Sequence, residues 1–357
     1  MDWVRGEQLT LKVDYRSAGV DIEAGNEAVR RMKSHVKKTH SQAVLTGLGS
    51  FGALFSLRDA LADIEEPVMV QSTDGVGTKT KVTVMAGRYE ALGQDLVAAV
   101  AGDIAVMGAR PLTFLDYLGL HKVEPEIVES LIRGMSDACA DAGIALVGGE
   151  TAEMPSVYAP DELDVVGFVT GIVDRKKLID GADICAGDVL YAINSSGLHT
   201  NGFSLARKLV FDLAQHAIDD KPVELAGVSI ADALLEPHIN YVAPVRALLD
   251  AGLPIRGMAH ITGGGLVENI PRIIREGLYC TVDRATWTPQ PVFSWMQQLG
   301  QVEDSEMYRT FNMGVGLVLI APHGLLGDIT SVLRPFPKLK VWELGRVNEG
   351  TGGVRFE

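Results

Sequence analysis

The reactive side chains of this sequence gather in short glycine-bearing segments, where backbone amides can approach a ligand closely. In Ser72–Lys79, written STDGVGTK, Asp74 offers a carboxylate, Gly75 and Gly77 bare amides, Thr78 a hydroxyl and Lys79 a positive charge. Such a set can hold a phosphate together with Mg²⁺. The spacing is not that of a Walker A loop, and the competing reading is an Asp-Gly turn between strands. Asp103 stands beside Gly102 inside an otherwise apolar helical pattern. A carboxylate there is costly to bury alone; a hard cation, or a helix break with Asp103 as N-cap, accounts for it. Glu150 follows Gly148 and Gly149 at the end of a short apolar strand. Asp74, Asp103 and Glu150 together make an oxygen-donor set suited to Mg²⁺.

His199 lies in SSGLHTNG, a loop of small polar residues ahead of a helix. It can donate to a developing phosphate charge or move a proton, or it is structural. A serine nucleophile in this loop lacks the GxSxG elbow. Gly47, Gly49 and Gly52 form a GxGxxG pattern. A dinucleotide fingerprint needs a strong strand before it and a long helix after it, and neither is evident; a flap over a phosphate chain or a tight turn remains. Thr262, Gly263, Gly264 and Gly265 stand between a strand and a helix. Amides there can hold a sugar 5-phosphate, or simply turn the chain. Arg309 reads as an ion-pair residue or anion contact, and Asn312 as a turn residue or ligand donor.

The elements that must position these loops alternate in type. Ala24–Lys38 reads as an amphipathic helix with a basic face that includes Lys33, either solvated or set toward an anionic partner. A short strand is expected at Leu9, Leu11 and Val13. Strands are expected at Pro67–Gln71, Leu112–Leu120, Ile144–Val147 and Asp164–Val173, with helices at Glu90–Met107 and Glu124–Ala142. A charged stretch, Asp174–Asp188, holds the expected boundary between domains 1–176 and 177–357. Beyond it strands are expected at Val189–Asn194, Met258–Ile261, Tyr279–Val282, Val315–Ile320 and Lys340–Leu344. Helices are expected from Phe203, at His238–Asp250, through Leu266–Ile274, near Val292–Gln298 and near Gly324–Leu333. The orders do not read as strict βαβ units, which favours α+β layers.

A chain of 357 residues suits two domains, and 47% hydrophobic residues supply a core. With 32 basic and 46 acidic residues the formal net charge is −14, which argues against non-specific nucleic-acid or membrane-surface binding. The opening residues carry no signal-peptide pattern. Cys139, Cys185 and Cys280 are far apart and form no CxxC pair, as expected of thiols in a reducing cytoplasm.

The ordered set AGVDIEAGN, GLGSFGAL, STDGVGTK, FLDYL, VGGETAEMP, SSGLHTNGFSL, HITGGGLVENIPR and EMYRTFNMGVG resembles aminoimidazole ribonucleotide synthetases, the phosphoribosylformylglycinamidine cyclo-ligases, from about Tyr15 to about Val347. The resemblance implies a homodimer of two-domain α+β subunits whose N-terminal-domain strands join in a central barrel. It implies ATP and Mg²⁺ as cofactors and formylglycinamidine ribonucleotide as substrate. It places nucleotide-side roles on Lys33, Gly47–Gly52, Asp74, Lys79 and Asp103, and active-cleft roles on Glu150, His199 and Asn201. Many members carry Asn where this chain has Gly102. Two rivals are an ammonia-using amidotransferase synthetase subunit of the same superfamily and a nucleotide-binding regulatory protein without turnover.

Overall fold

Helix α1 (Ile22–Lys37) begins where the Asp21 carboxylate accepts from the amides of Glu23 and Ala24, and it buries Ala28, Met32 and Val36 along one face. In the computed structural model, which describes residues 14–357, this helix opens the first of two mixed α/β domains. The strand expected at Leu9–Val13 lies outside the described residues. Strand β1 (Pro67–Gly75) leads into helices α2 (Lys79–Ala86) and α3 (Tyr89–Ala105). Strand β2 (Arg110–Leu120), helix α4 (Pro125–Asp141), strand β3 (Ala145–Glu153) and strand β4 (Leu163–Asp174) follow. The four strands form a half barrel in the order β1-β4-β2-β3. β2 and β3 are parallel with α4 as their crossover, a βαβ unit that the sequence reading did not resolve, while the other pairs are antiparallel.

Alternation along the strands gives this sheet two unlike faces. Phe114, Asp116 and Leu118 point toward the covering helices and are buried. On the other face Met69, Leu115 and Phe168 stand open, 66%, 42% and 43% exposed. The helices pack tightly because glycines let their backbones meet: a Cβ at Gly93 would lie 2.1 Å from the Leu131 carbonyl oxygen, and one at Gly134 would lie 1.9 Å from that of Glu90.

The second sheet begins with β5 (Val189–Asn194), followed by the short helices α5 (Phe203–Arg207) and α6 (Ile230–Leu235), helix α7 (Val242–Asp250) and strand β6 (Gly257–His260). Helix α8 (Gly265–Asn269), strand β7 (Leu278–Val282), helices α9 (Pro291–Gly300) and α10 (Asp304–Thr310), and strand β8 (Val315–Ala321) come next. Helix α11 (Leu326–Leu333) and strands β9 (Val341–Glu349) and β10 (Val354–Phe356) complete it. The six strands run β10-β7-β9-β5-β8-β6, with β10 and β7 parallel. β5 is apolar up to Asn194 because both of its faces are covered: Val189, Tyr191 and Ile193 join a core shared with the first domain, Leu190 and Ala192 the opposite one. α2 was not foreseen. It buries Lys79, Thr80 and Thr83 beside Val82, so no apolar stripe marks it, and Val82 packs among Phe203, Leu234 and Phe293 of the second domain.

Candidate active site

The ends of β1, α3 and β6 bring chemistry from both domains to one junction. Asp74 is the penultimate residue of β1, with its Oδ1 accepting from the Gly75 amide at 2.7 Å. Burial pushes its carboxyl above the ordinary value, and the charge of Asp103 adds to the shift. Asp103, on α3, accepts at Oδ1 from His260 Nδ1 at 2.8 Å. That bond leaves His260 Nε2 to accept from His238 Nε2, 3.0 Å away. His238 stacks on His199, with ring centroids 3.8 Å apart. A continuous line of side chains thus joins Asp103 to His199. Gly102 is part of it: a Cβ there would lie 2.7 Å from His260 Cε1, so the imidazole occupies the space of a side chain.

His199 is buried and held at φ +61. Its Nε2 accepts from the Ser196 amide at 3.2 Å, so the neutral ring carries its proton on Nδ1, which has no partner among the described residues. Desolvation holds its pKa well below 6.5, and the positive charge of Lys79 acts in the same direction. The ring is therefore a neutral N–H donor whose Nδ1 is enclosed and without a partner among the described residues.

Lys79 departs from its expected role. Its ammonium is wholly enclosed, 2.7 Å from Asp95 Oδ2 and 2.8 Å from the His199 carbonyl oxygen. The other Asp95 oxygen accepts from the His238 amide at 2.7 Å. Lys79 thus ties α2 and α3 to the loops of the second domain instead of facing a ligand. Asp95 was missed because it sits within the apolar repeat of α3, and His238 because no glycine loop surrounds it.

The carboxylate set expected for Mg²⁺ is also revised. Asp74 and Asp103 lie near enough for the charge of one to act on the other, but Glu150 pairs in register with Tyr117 and so faces the open side of the sheet. β3 lies three strand positions from β1, about 14 Å away. Among the described residues no three His, Cys, Asp or Glu side chains form a ready-made metal cage. Two hard carboxylates nevertheless fit Mg²⁺, which takes one or two such groups and completes its shell with phosphate and water.

Other predicted residues divide between this junction and the far sheet edge. Thr78 Oγ1 lies 3.0 Å from Ser204 Oγ, placing the Gly75–Gly77 turn beside α5. Asn201 lies over Gly263, where a Cβ would meet its Oδ1 at 3.2 Å. Asn269 Nδ2 donates to the carbonyls of Thr262, Gly263 and Gly265 and fixes that loop. α8 spans only five residues, so little helix dipole supports an anion there, and Gly265 is demanded by packing, with a Cβ 2.1 Å from the Tyr308 carbonyl oxygen. Asn312 is structural: it donates to the Gly197 carbonyl at 2.8 Å and accepts from Ser195 Oγ at 3.0 Å. Arg309 pairs with Glu268 at 2.7 Å on the surface. Gly47, Gly49 and Gly52 belong to a loop closed at its base by a bridge between Val44 and Phe55, and no helix follows. With α1 and β3 this loop borders a cavity of about 950 Å³, which Glu150 also lines; exposed Lys33 lies one turn beyond Val29 on α1.

This combination of fold and loops defines a known class. Residues 57–173 match the N-terminal domain of AIR synthase related proteins, and residues 186–356 match the C-terminal domain. A thiamine-monophosphate kinase from Stenotrophomonas maltophilia shares the fold, with a TM-score of 0.68 at 19% identity over 93% of this chain and 96% of that one. The phosphoribosylformylglycinamidine cyclo-ligase of Geotalea uraniireducens is 49% identical over 311 residues, 87% of this chain and 88% of the relative. That of Cupriavidus metallidurans is 44% identical over 343 residues, 96% and 95% respectively. The chain belongs to the phosphoribosylformylglycinamidine cyclo-ligase family.

Proposed function

We propose that this chain closes the imidazole ring of formylglycinamidine ribonucleotide, giving 5-aminoimidazole ribonucleotide, ADP and phosphate. It is an ATP-dependent C–N bond-forming ligase of purine biosynthesis. The observation that carries this reading is the near full-length identity to cyclo-ligases.

The formyl oxygen of the substrate attacks the γ-phosphoryl group, which turns a poor leaving group into a good one. The ribosyl-bearing nitrogen then attacks the activated formyl carbon, and phosphate departs. The protein's task is mainly positioning and charge neutralisation. His199 Nδ1–H supplies a preorganised donor, and its backbone is fixed by Lys79. Asp74 and Asp103 would hold Mg²⁺, which when bound neutralises phosphate charge. Amides of Gly75 and Gly77, with Thr78 and Asn201, face the triphosphate; Thr262–Gly265 receive the substrate phosphate; Lys33 and the Gly47–Gly52 loop cover the nucleotide.

The division into 1–176 and 177–357 assigns nucleotide binding and dimerisation to the first part and completion of the cleft to the second. Met69, Leu115 and Phe168 on the open sheet face support a homodimer in which two half barrels close into one. Among the described residues no helix is long and apolar enough to cross a membrane, and we place the reaction in the cytoplasm.

Oxygen-18 in the formyl group tests the chemistry. The label is expected in inorganic phosphate, with ADP release dependent on formylglycinamidine ribonucleotide and indifferent to glutamine or ammonium. Label retained in the organic product, or a need for ammonia, overturns the route.

A further inference from the structure

His238 lies in the turn between α6 and α7, 4% exposed, and takes no part in the mechanism above. It is held from several sides. Its amide donates to Asp95 Oδ1 at 2.7 Å, its Nε2 lies 3.0 Å from His260 Nε2, and the Tyr241 ring meets it edge-on with centroids 6.3 Å apart. The Pro237 carbonyl before it accepts from Ser196 Oγ at 2.6 Å, which stitches this turn to the loop that carries His199. Its Nδ1 is enclosed without a partner among the described residues. An apolar ring would fill the same volume without leaving a nitrogen unpaired, so the imidazole is used for its bond and its face. The bond to His260 sets the plane of the ring. The face lies against His199, with centroids 3.8 Å apart and the planes 15° from parallel. Desolvation holds the pKa of His238, like that of His199, well below 6.5, so two neutral rings stack without charge repulsion.

His199 needs such a brace. A residue with a Cβ is disfavoured at φ +61, and the conformation persists only where the surroundings fix it. Lys79 holds the backbone at the carbonyl and the Ser196 amide holds Nε2, yet neither bond by itself fixes the tilt of the ring. One edge is closed by Gly316, where a Cβ would lie 2.8 Å from His199 Cε1. A broad face is closed by His238. We propose that His238 is a positioning residue for ring closure: its ring face sets the tilt of His199 and so the direction in which Nδ1–H points. This role rests on His199 as the donor to developing charge. A reacting group displaced by about 1 Å costs on the order of 10²-fold in rate.

Steady-state kinetics on the full chain with ATP, Mg²⁺ and formylglycinamidine ribonucleotide tests this, with kcat referred to the folded fraction measured by circular dichroism. His238→Ala is expected to lower kcat by about 10–10²-fold while KM for either substrate changes by less than about 3-fold. His238→Phe keeps a ring face and should recover most of that loss. His238→Gln keeps a donor toward His260 but no ring face, and should recover little. In a chain already carrying His199→Ala, His238→Ala should cost no further turnover, because its effect passes through His199. A His238→Ala chain with normal kcat overturns the proposal. So does a loss that multiplies with that of His199→Ala, or a Gln variant as active as the Phe one. If His238→Ala does not fold, the Phe and Gln variants decide. If His199→Ala itself turns over normally, the donor reading falls and the brace with it; if only His238→Ala does, the brace falls alone.

Discussion

Asp95 and Asp116 are both buried acids of the first domain, 0% and 6% exposed, set in opposite surroundings. At the domain junction Asp95 is met by Lys79 on one oxygen and the His238 amide on the other. At the sheet edge Asp116 has glycines to either side and a cavity in front. The first carboxylate is spent on architecture: it cements two helices to the loop that carries His199. The second has no ion-pair or side-chain hydrogen-bond partner among the described residues. Burial alone does not distinguish a structural acid from a binding one; the completeness of its partners does.

The sharpest test of the junction is His199→Ala. Turnover should fall by about 10²–10⁴-fold while ATP affinity changes little, as expected for a donor used on developing charge. Steady-state kinetics beside nucleotide titration separates the two, and equal losses would make His199 a binding residue. Next is Lys79→Met, which strands Asp95 and should lower stability by about 3–5 kcal/mol in denaturant unfolding. Adding Asp95→Leu should recover most of that loss. A Lys79→Met chain of normal stability but poor ATP affinity would return the lysine to phosphate binding. The smallest effect is expected of Gly102→Ala. The new methyl must displace His260 from Asp103, at about 1–3 kcal/mol, with turnover falling more than ADP binding.

The sequence made the two-layer organisation legible wherever one face of an element is apolar, as in α1 and α4. It failed at α2, whose buried face is built from Lys79 and threonines, and at α6 and α10, which are too short to show a period. Asp74, Asp103 and His199 stand out in the sequence because glycine or small polar residues flag their loops, and the structure joins Asp103 to His199 through His260 and His238. Charge misled at Lys79. A lysine beside glycines and a threonine suggests phosphate, but its partner Asp95 is sixteen residues away inside an apolar helix, and their meeting is a product of tertiary packing. Glu150 misled for another reason: strand parity sends it to the opposite face from Asp74.

Asp103 belongs to the first domain and His199, His238 and His260 to the second, with Lys79 reaching across to the His199 backbone. Neither half of the chain by itself holds the whole line of side chains. The line is broken wherever the two halves part, so a loosening of the seam between them is expected to silence the enzyme before either half has lost its shape.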